Sequence, residues 1–181
     1  ATLSGSDGGD KVGALAFPLL GRAAVNPGSL IKGSGPSVYY VDTEQRRYSF
    51  PTQATYQTWY SDFSGVQLVS DQELASYRLT ANVTYRPGVR LIKVTTDPRV
   101  YAVGRGGVLR WIETEAVARA LYGDTWARQV DDLPDSFFSN YRVGPSIRST
   151  NDFSPSTERE AVTYIGANQS AQNSPATPPP V

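Results

Sequence analysis

The sequence predicts an α+β fold built from two tandem copies of a small β-hairpin-plus-helices module, with extended arms at both ends. The first observation behind this prediction is a near repetition: PSVYYVDTEQRRYSFPT begins at Pro36, and PRVYAVGRGGVLRWIET begins at Pro98. The second is the matched flanks of these stretches, PGSLIK and PGVRLIK before them and Y-R-x-G after each. Self-similarity at a fixed spacing is the sequence signature of a repeated architecture.

Each copy is predicted to contain a β-hairpin. V-Y-x-V and the basic and aromatic run that follows it alternate apolar and polar residues, as paired strands do. The glycines of GRGG suit the positive φ of a tight bend. Because GRGG is one residue shorter than DTEQR, this alignment places Tyr48 opposite Leu109 and Phe50 opposite Trp111.

A helix is predicted after each hairpin. Thr52 and Thr114 occupy the N-cap position ahead of predicted helices at 53–60 and 115–122. Gly123 is placed to end the second of these helices, because glycine readily adopts the left-handed conformation found after a helix C-terminus.

A second short helical segment is predicted in each copy. The run S-D-Q-E from Ser70 is a capping box ahead of a helix that continues to Tyr77, and Pro134 begins a matching turn. The predicted division of the chain is an N-terminal arm at 1–27, repeat module 1 at 28–87, repeat module 2 at 88–144, and a C-terminal arm and tail at 145–181.

The composition excludes several classes of function. Seventeen Lys and Arg balance seventeen Asp and Glu, so no basic field would attract nucleic acid. The absence of Cys and His removes thiolate chemistry, catalytic triads that use His, and the commonest zinc ligands. We therefore expect no enzyme activity, no catalytic residues, no cofactor and no metal, and carboxylate or Ser–Lys chemistry is the remaining enzymatic alternative.

Two local motifs favour structure over chemistry. GRGGVLR lacks the Lys-Ser/Thr pair of a phosphate-binding loop and is interpreted as a hairpin turn. The carboxylates of Asp131, Asp132 and Asp135 do not follow the spacing of a calcium-binding loop, and helix capping is the favoured interpretation.

The chain is predicted to be an exported protein with an extracellular or cell-surface location. It contains no Met and opens at Ala1 with a small-residue sequence, which favours a mature chain after removal of a signal peptide over a trimmed chain. The sequence contains no run of eighteen apolar residues, so it predicts no membrane-spanning segment.

The motifs K-G-S-G-x-x-V-Y, W-Y-x-D-F-S, N-V-T-Y-R-P-G, V-Y-A-V, L-R-W-I and L-Y-G-x-x-W lie between Gly28 and Gly144. This pattern resembles a paired repeat module of exported bacterial cell-surface proteins, which is common in candidate-phyla bacteria. The resemblance implies an extracellular location and a non-catalytic role. It implies no catalytic or ligand-binding residues.

The two terminal arms indicate how copies of the chain could assemble. GALAFPLL is apolar and held extended by Pro18, and EAVTYIG at 160–166 alternates residues rich in β-formers. Either segment could add a strand to an exposed sheet edge on a neighbouring copy. We therefore expect a structural subunit of a homopolymeric filament, appendage or coat, although both arms could instead wrap their own modules. The expected subunit contacts are Leu15, Phe17, Leu19, Leu20, Val162, Tyr164 and Ile165.

The alternative function is a non-catalytic module that binds cell-wall glycan through exposed aromatic residues. Trp59, Trp111 and Trp126 are expected in the core, because a small core needs bulky side chains. Tyr40 faces away from Tyr39 on its strand, and its counterpart in the second copy is Ala102. Tyr40 is therefore the first candidate for an outward-facing ligand platform.

Overall fold

The computed structural model describes residues 25–173, which form a mixed α+β structure with two five-stranded sheets. The strands are two to five residues long. The elements of the first sheet and its helices are β1 (Leu30–Lys32), β2 (Tyr39–Val41), β3 (Arg46–Ser49), α1 (Gln53–Gln57), β4 (Val66–Leu68), α2 (Asp71–Ser76) and β5 (Arg78–Asn82).

The remaining elements form the second sheet and the C-terminal helices. They are β6 (Leu91–Val94), β7 (Val100–Gly104), β8 (Val108–Trp111), α3 (Glu115–Tyr122), β9 (Val130–Leu133), β10 (Arg142–Val143), α4 (Pro155–Ala161) and α5 (Ile165–Asn173). Three 3₁₀ helices at Arg105–Gly107, Trp126–Gln129 and Asp135–Asn140 join these elements.

The two sheets have the same strand order. The first runs β4-β1-β2-β3-β5 and the second runs β9-β6-β7-β8-β10. In each sheet the three central strands are antiparallel, and the two outer strands pair parallel to their neighbours. The outer strands β4, β5, β9 and β10 were not predicted, because each pairs with a strand more than thirty positions earlier in the chain and belongs to no hairpin.

Strand register corrects the predicted alignment of the two hairpins. Tyr39 pairs with Ser49 in the first hairpin, and Tyr101 pairs with Trp111 in the second, so both partners shift by 62 residues, from 39 to 101 and from 49 to 111. No residue is missing from the second turn. Tyr48 therefore corresponds to Arg110 and not to Leu109, and Phe50 to Ile112 and not to Trp111. The predicted one-residue gap is wrong, and such a slip moves every side chain to the opposite face.

Helix capping agrees with the sequence prediction. The side chains of Thr52, Ser70 and Thr114 each accept a hydrogen bond from the backbone N–H three residues later. Gly123 ends α3 with φ of 83°. The helix predicted at 53–60 is shorter than expected and ends at Gln57.

The second hairpin turn requires its glycines. Gly106 and Gly107 both adopt φ of 67°, in the left-handed region that favours glycine. The first hairpin turn has no glycine, and there Gln45 takes φ of 56°. Side-chain hydrogen bonds support that turn, because the carboxylate of Asp42 accepts from the backbone N–H groups of Glu44 and Arg46.

The cores of the two sheets are in contact. Tyr85 lies in the same buried cluster as Ile92 and Tyr101 of the second sheet, and Ala54 of α1 packs against that cluster. Ile165 at the start of α5 belongs to the cluster that contains Tyr40 and Tyr48 of the first sheet. Each sheet's core is therefore completed by residues from outside its own strands: Ile165 of α5 for the first sheet, and Ala54 and Tyr85 for the second.

Candidate functional site

The outer edge of the first sheet is formed by β5. Its partner strand β3 occupies one side, and no described strand pairs with the other side. Four of its five residues are exposed, including Leu79 at 54% exposure. An exposed edge strand with an apolar side chain is a place where another extended chain can add by backbone hydrogen bonding.

A groove of about 390 Å³ runs beside this edge. One wall is β5 itself, and the opposite wall consists of Ser139 and Asn140 from the 3₁₀ helix before β10, with Gln172 from α5. Gln172 Nε2 donates to the Asn140 carbonyl at 2.8 Å, which fixes that wall. The edge of β5 is thus bordered by a polar shelf that could receive side chains from an added strand.

The opposite edge of the first sheet, β4, is also exposed, and Leu68 there is 80% accessible. The strand is only three residues long. Of the two edges, β5 therefore offers the longer template.

The edges of the second sheet are built differently. Asp131 on β9 pairs with Arg90 at 2.6 Å, and Asp132 pairs with Lys93 at 3.3 Å. Charged residues on an edge strand discourage pairing with another chain. The other edge, β10, is two residues long. Both edges of the second sheet thus carry features that limit strand addition. Asp131 and Asp132 lie in a strand, so the predicted helix-capping role is wrong for them.

The C-terminal segment that was expected to form a strand is helical at both ends. Residues 160–166 include the end of α4 and the start of α5, with a short non-helical link between them. Val162 and Ile165 are 2% and 1% exposed, whereas Tyr164 is 59% exposed. The strand expected here is therefore wrong, because the two branched side chains are packed into the chain's own core. Up to residue 173, the described part of the C-terminal segment packs against its own chain.

Helix α5 holds the two sheets together through buried amides. Asn168 donates from Nδ2 to Thr84 Oγ1 at 3.0 Å, and its Oδ1 accepts from the Gly106 N–H at 2.8 Å. Gln169 donates to the Asn82 carbonyl at 3.3 Å. Since Asn168 is 1% exposed, its amide bridges the end of the first sheet and the turn of the second without competition from water.

The predicted ligand platform at Tyr40 is wrong. Tyr40 is 3% exposed and packs with Tyr48, while its hydroxyl lies against the backbone of Gly166. Burial raises the pKa of this hydroxyl. The strand alternation was correct, but α5 covers the face to which Tyr40 points, and no motif in the sequence indicates that helix.

The four N-terminal contact candidates, Leu15, Phe17, Leu19 and Leu20, lie outside the described residues.

The three tryptophans are each partly buried against a core cluster. Trp59 donates its indole N–H to the Thr84 carbonyl at 2.8 Å. Trp111 and Trp126 also line an open cleft of about 290 Å³ in the second sheet's half of the molecule. The expectation of core positions therefore holds in part, and it missed the cleft because only the fold brings these two side chains together.

A corresponding cleft of about 310 Å³ lies at the same place on the first sheet. It is lined by Val38 and Phe50, which correspond to Val100 and Ile112 of the other cleft by strand register. Tyr56 and Phe63 form its aromatic wall, with ring centroids stacked 4.4 Å apart. Each half of the molecule thus has a cleft between its hairpin and the helix that follows.

Within residues 25–173, no group of three or more acidic, His or Cys side chains is arranged to hold a metal ion. In the same part of the chain, every helix falls short of the length and apolar character needed to cross a bilayer.

Comparison with protein-family models, with curated proteins and with solved structures gives no match for this chain.

Proposed function

We propose that the protein is a non-enzymatic structural subunit of an extracellular homopolymeric assembly, in which β5 of one copy accepts an extended segment from the next copy. The observation that carries this proposal is the open edge of β5, with exposed Leu79 and an adjoining groove. Strand addition supplies main-chain hydrogen bonds and therefore needs an unpaired edge more than a deep pocket.

The rigid unit of the proposed assembly consists of two copies of one module, fastened by α5. The matched strand order and the constant register offset of the two sheets support this interpretation. The division into modules at 28–87 and 88–144 and the extracellular location are parts of the same proposal, and they rest on the repeated motifs and on the resemblance to a cell-surface repeat.

The proposed donor is the apolar run that contains Leu15, Phe17, Leu19 and Leu20. Six extended residues span about 20 Å at roughly 3.3 Å per residue, enough to cover β5 from Arg78 to Ala81, since the carbonyl of Asn82 already accepts from Gln169. Pro18 cannot donate to a strand ladder and is compatible with an outermost strand. The C-terminal segment is excluded as a donor because Val162 and Ile165 are buried in their own chain.

The proposed contact joins two different surfaces, an arm and an edge. Such a head-to-tail contact does not close on itself in a pair, and repetition of it produces rings or filaments. The second sheet is the poorer acceptor, since β9 carries two adjacent carboxylates and β10 is two residues long, whereas β5 carries one charged residue, Arg78 at its first position.

The test is electron microscopy combined with light scattering on the full chain and on matched variants. We expect the full chain to form regular fibres or rings, and removal of residues 1–24 to leave a folded monomer. That deletion retains Val25, which packs against the cluster of Ile31 and Val41. Particles of the full chain that stay at 19.7 kDa would contradict the proposal.

Edge substitutions identify the acceptor. Leu79→Lys places a charge on β5 and is expected to abolish assembly. Leu68→Lys on β4 and Val143→Lys on β10 make the same change at exposed apolar positions on other edges, and both are expected to assemble normally. If Leu79→Lys still polymerises, β5 is not the acceptor.

A further inference from the structure

The cleft on the second sheet combines aromatic walls with charged side chains. Val100, Ile112 and Ala118 provide apolar side chains, and Trp111 and Trp126 are the aromatic lining residues. The remaining charged lining residues are Arg99, Glu113 and Glu115. The cleft is open to solvent and is far from a closed cavity, so an extended ligand could lie along it.

The charges in this cleft do not balance. Arg99 is already engaged: the Asp97 carboxylate accepts from its guanidinium at 2.7 Å, and the guanidinium carbon lies 6.0 Å from the centroid of the Trp111 ring. Glu113 accepts a hydrogen bond from the neutral Ser146 hydroxyl at 2.6 Å, and Glu115 is exposed at the start of α3. Two carboxylates therefore give the cleft a net negative charge beside two indole rings.

The corresponding cleft on the first sheet shows that these charges are not needed to build the fold. At the offset of 62 residues, Glu113 corresponds to Pro51 and Glu115 to Gln53. Both Pro51 and Gln53 line the first cleft, which has nearly the same volume. Helix α1 is capped by Thr52 as α3 is by Thr114, without an acidic residue in its first turn.

We infer that the cleft of Trp111 and Trp126 binds the ammonium group of a lysine side chain on a basic peptide segment. Aromatic rings attract a cation through their negative faces, as Trp111 already does with Arg99, and the two carboxylates add a Coulombic attraction for a second cation. The methylene groups of lysine match the apolar lining, while its ammonium group matches the two carboxylates. A neutral sugar would leave the net negative charge unanswered, and an acidic peptide would be repelled.

The test uses the indole N–H signals of the full chain in a ¹⁵N-resolved NMR titration with a blocked tetralysine peptide. We expect the signals of Trp111 and Trp126 to shift and that of Trp59 to stay in place. Trp59 is an internal control, because it lies in the first half and its N–H is held by the Thr84 carbonyl. Cellotetraose and a blocked tetraglutamate peptide are the comparison ligands, and neither is expected to shift the signals.

The carboxylates are tested with a matched pair of variants. Glu115→Gln should weaken tetralysine binding about threefold, as expected for a partly exposed ion pair. Glu44→Gln removes a carboxylate that is 66% exposed on the other half, and it should leave binding unchanged. Raising the salt concentration should weaken binding to the unaltered chain and have less effect on Glu115→Gln.

Three results would overturn this inference. The first is no shift of the Trp111 and Trp126 signals at millimolar tetralysine. The second is an equal loss of binding in Glu44→Gln and Glu115→Gln, which would indicate general attraction to an acidic surface. The third is a shift of the same signals by cellotetraose but not by tetralysine, which would assign the cleft to saccharide instead. None of these results bears on strand addition at β5.

Discussion

The two sheets share one strand order but differ in the side chains that they present to their surroundings. The first exposes Leu68 and Leu79 on its two edges, whereas the second carries Asp131 and Asp132 on one edge and a two-residue strand on the other. The clefts also differ. The cleft with Glu113 and Glu115 belongs to the second sheet, whose edges are charged or very short, whereas the cleft of the first sheet has Pro51 and Gln53 at the corresponding positions. One architecture therefore supports different surfaces, since edge and cleft residues are not needed to hold the sheet together.

The interior shows much less contrast. Ile31 and Ile92 hold corresponding places on β1 and β6, and both are completely buried. Each half also has an Asp–Arg–Tyr network: Asp42 with Arg46 and Tyr48, and Asp97 with Arg99 and Tyr101. The networks lie at opposite ends of their hairpins, one in the turn and one before the first hairpin strand.

The largest loss of stability is expected when one buried isoleucine is truncated in each half. Ile31→Ala and Ile92→Ala should each lower the free energy of unfolding by about 2–5 kcal/mol. Because Ala54 and Tyr85 belong to the core of the second sheet, we expect one cooperative transition in urea for both variants. Fluorescence and far-UV circular dichroism should follow the same curve. Separate transitions for the two halves would show that they fold independently.

The glycine turn of the second hairpin is tested by a matched pair of glycines. Gly106→Ala should cost about 1–3 kcal/mol from its left-handed backbone and more from contact, since a Cβ there would lie 2.9 Å from the backbone of Ala171. Gly123→Ala meets nothing within 4 Å but has φ of 83° and ψ of 177°, a region essentially restricted to glycine, so it should show a backbone cost without contact. Hydrogen exchange in α5 separates the two effects, because it should rise in Gly106→Ala beyond the rise that the global loss of stability gives in Gly123→Ala. Equal changes in α5 at equal stability loss would mean that α5 does not depend on this close approach.

The two Asp–Arg–Tyr networks predict a loss of stability in acid. Burial raises the pKa of Asp42, but hydrogen bonds from Arg46 and Tyr48 outweigh it and lower the net value. Hydrogen bonds from Arg99 lower the pKa of Asp97 to about 2. Carboxyls with a depressed folded pKa stabilise the fold above the unfolded value of about 3.9, and this stabilisation is lost as the pH falls through the folded value.

We expect Asp42→Asn to reduce the drop in unfolding free energy between neutral and acidic pH. Tyr48→Phe removes one of the donors to Asp42 and should have the same effect to a smaller degree. Urea denaturation across this pH range measures both. An unaltered pH dependence in Asp42→Asn would contradict the assignment.

The smallest effects are expected at the sheet edges. Leu68→Lys, Leu79→Lys and Val143→Lys should each change the unfolding free energy of the monomer by about 0.5 kcal/mol or less, because these side chains are largely exposed. Thermal unfolding of dilute samples measures this. A large destabilisation by Leu79→Lys would mean that loss of assembly in that variant reflects unfolding and not a blocked edge.

Local signals were sufficient to predict the hairpins and caps. The threonine caps at Thr52 and Thr114 and the glycines of the second turn depend on neighbouring residues, so the sequence contains all the information needed. The α+β class followed from these elements. The gap placed between the hairpins was wrong because a turn without glycine can have the same length when Gln45 takes the positive φ.

Long-range contacts decide what the sequence could not predict. The run IGANQSAQN has little apolar character. Helix α5 is stabilised by hydrogen bonds between the buried side-chain amide of Asn168 and residues more than sixty positions away. Tyr40 is covered by that helix, so its burial was not predictable from strand alternation. The clefts likewise depend on the packing of a hairpin against a helix, and no motif in the sequence indicates them.

The position of α5 in the chain has a consequence for the order of folding. Both hairpins are complete well before residue 165, and their contacts are local enough to form while the chain is being synthesised. The amide of Asn168 can join Thr84 to Gly106 only after both have been delivered. Until then the two sheets are joined by the packing of Tyr85 and Ala54 but lack this buried bridge, and a chain interrupted before α5 would leave Tyr40 and Thr84 uncovered.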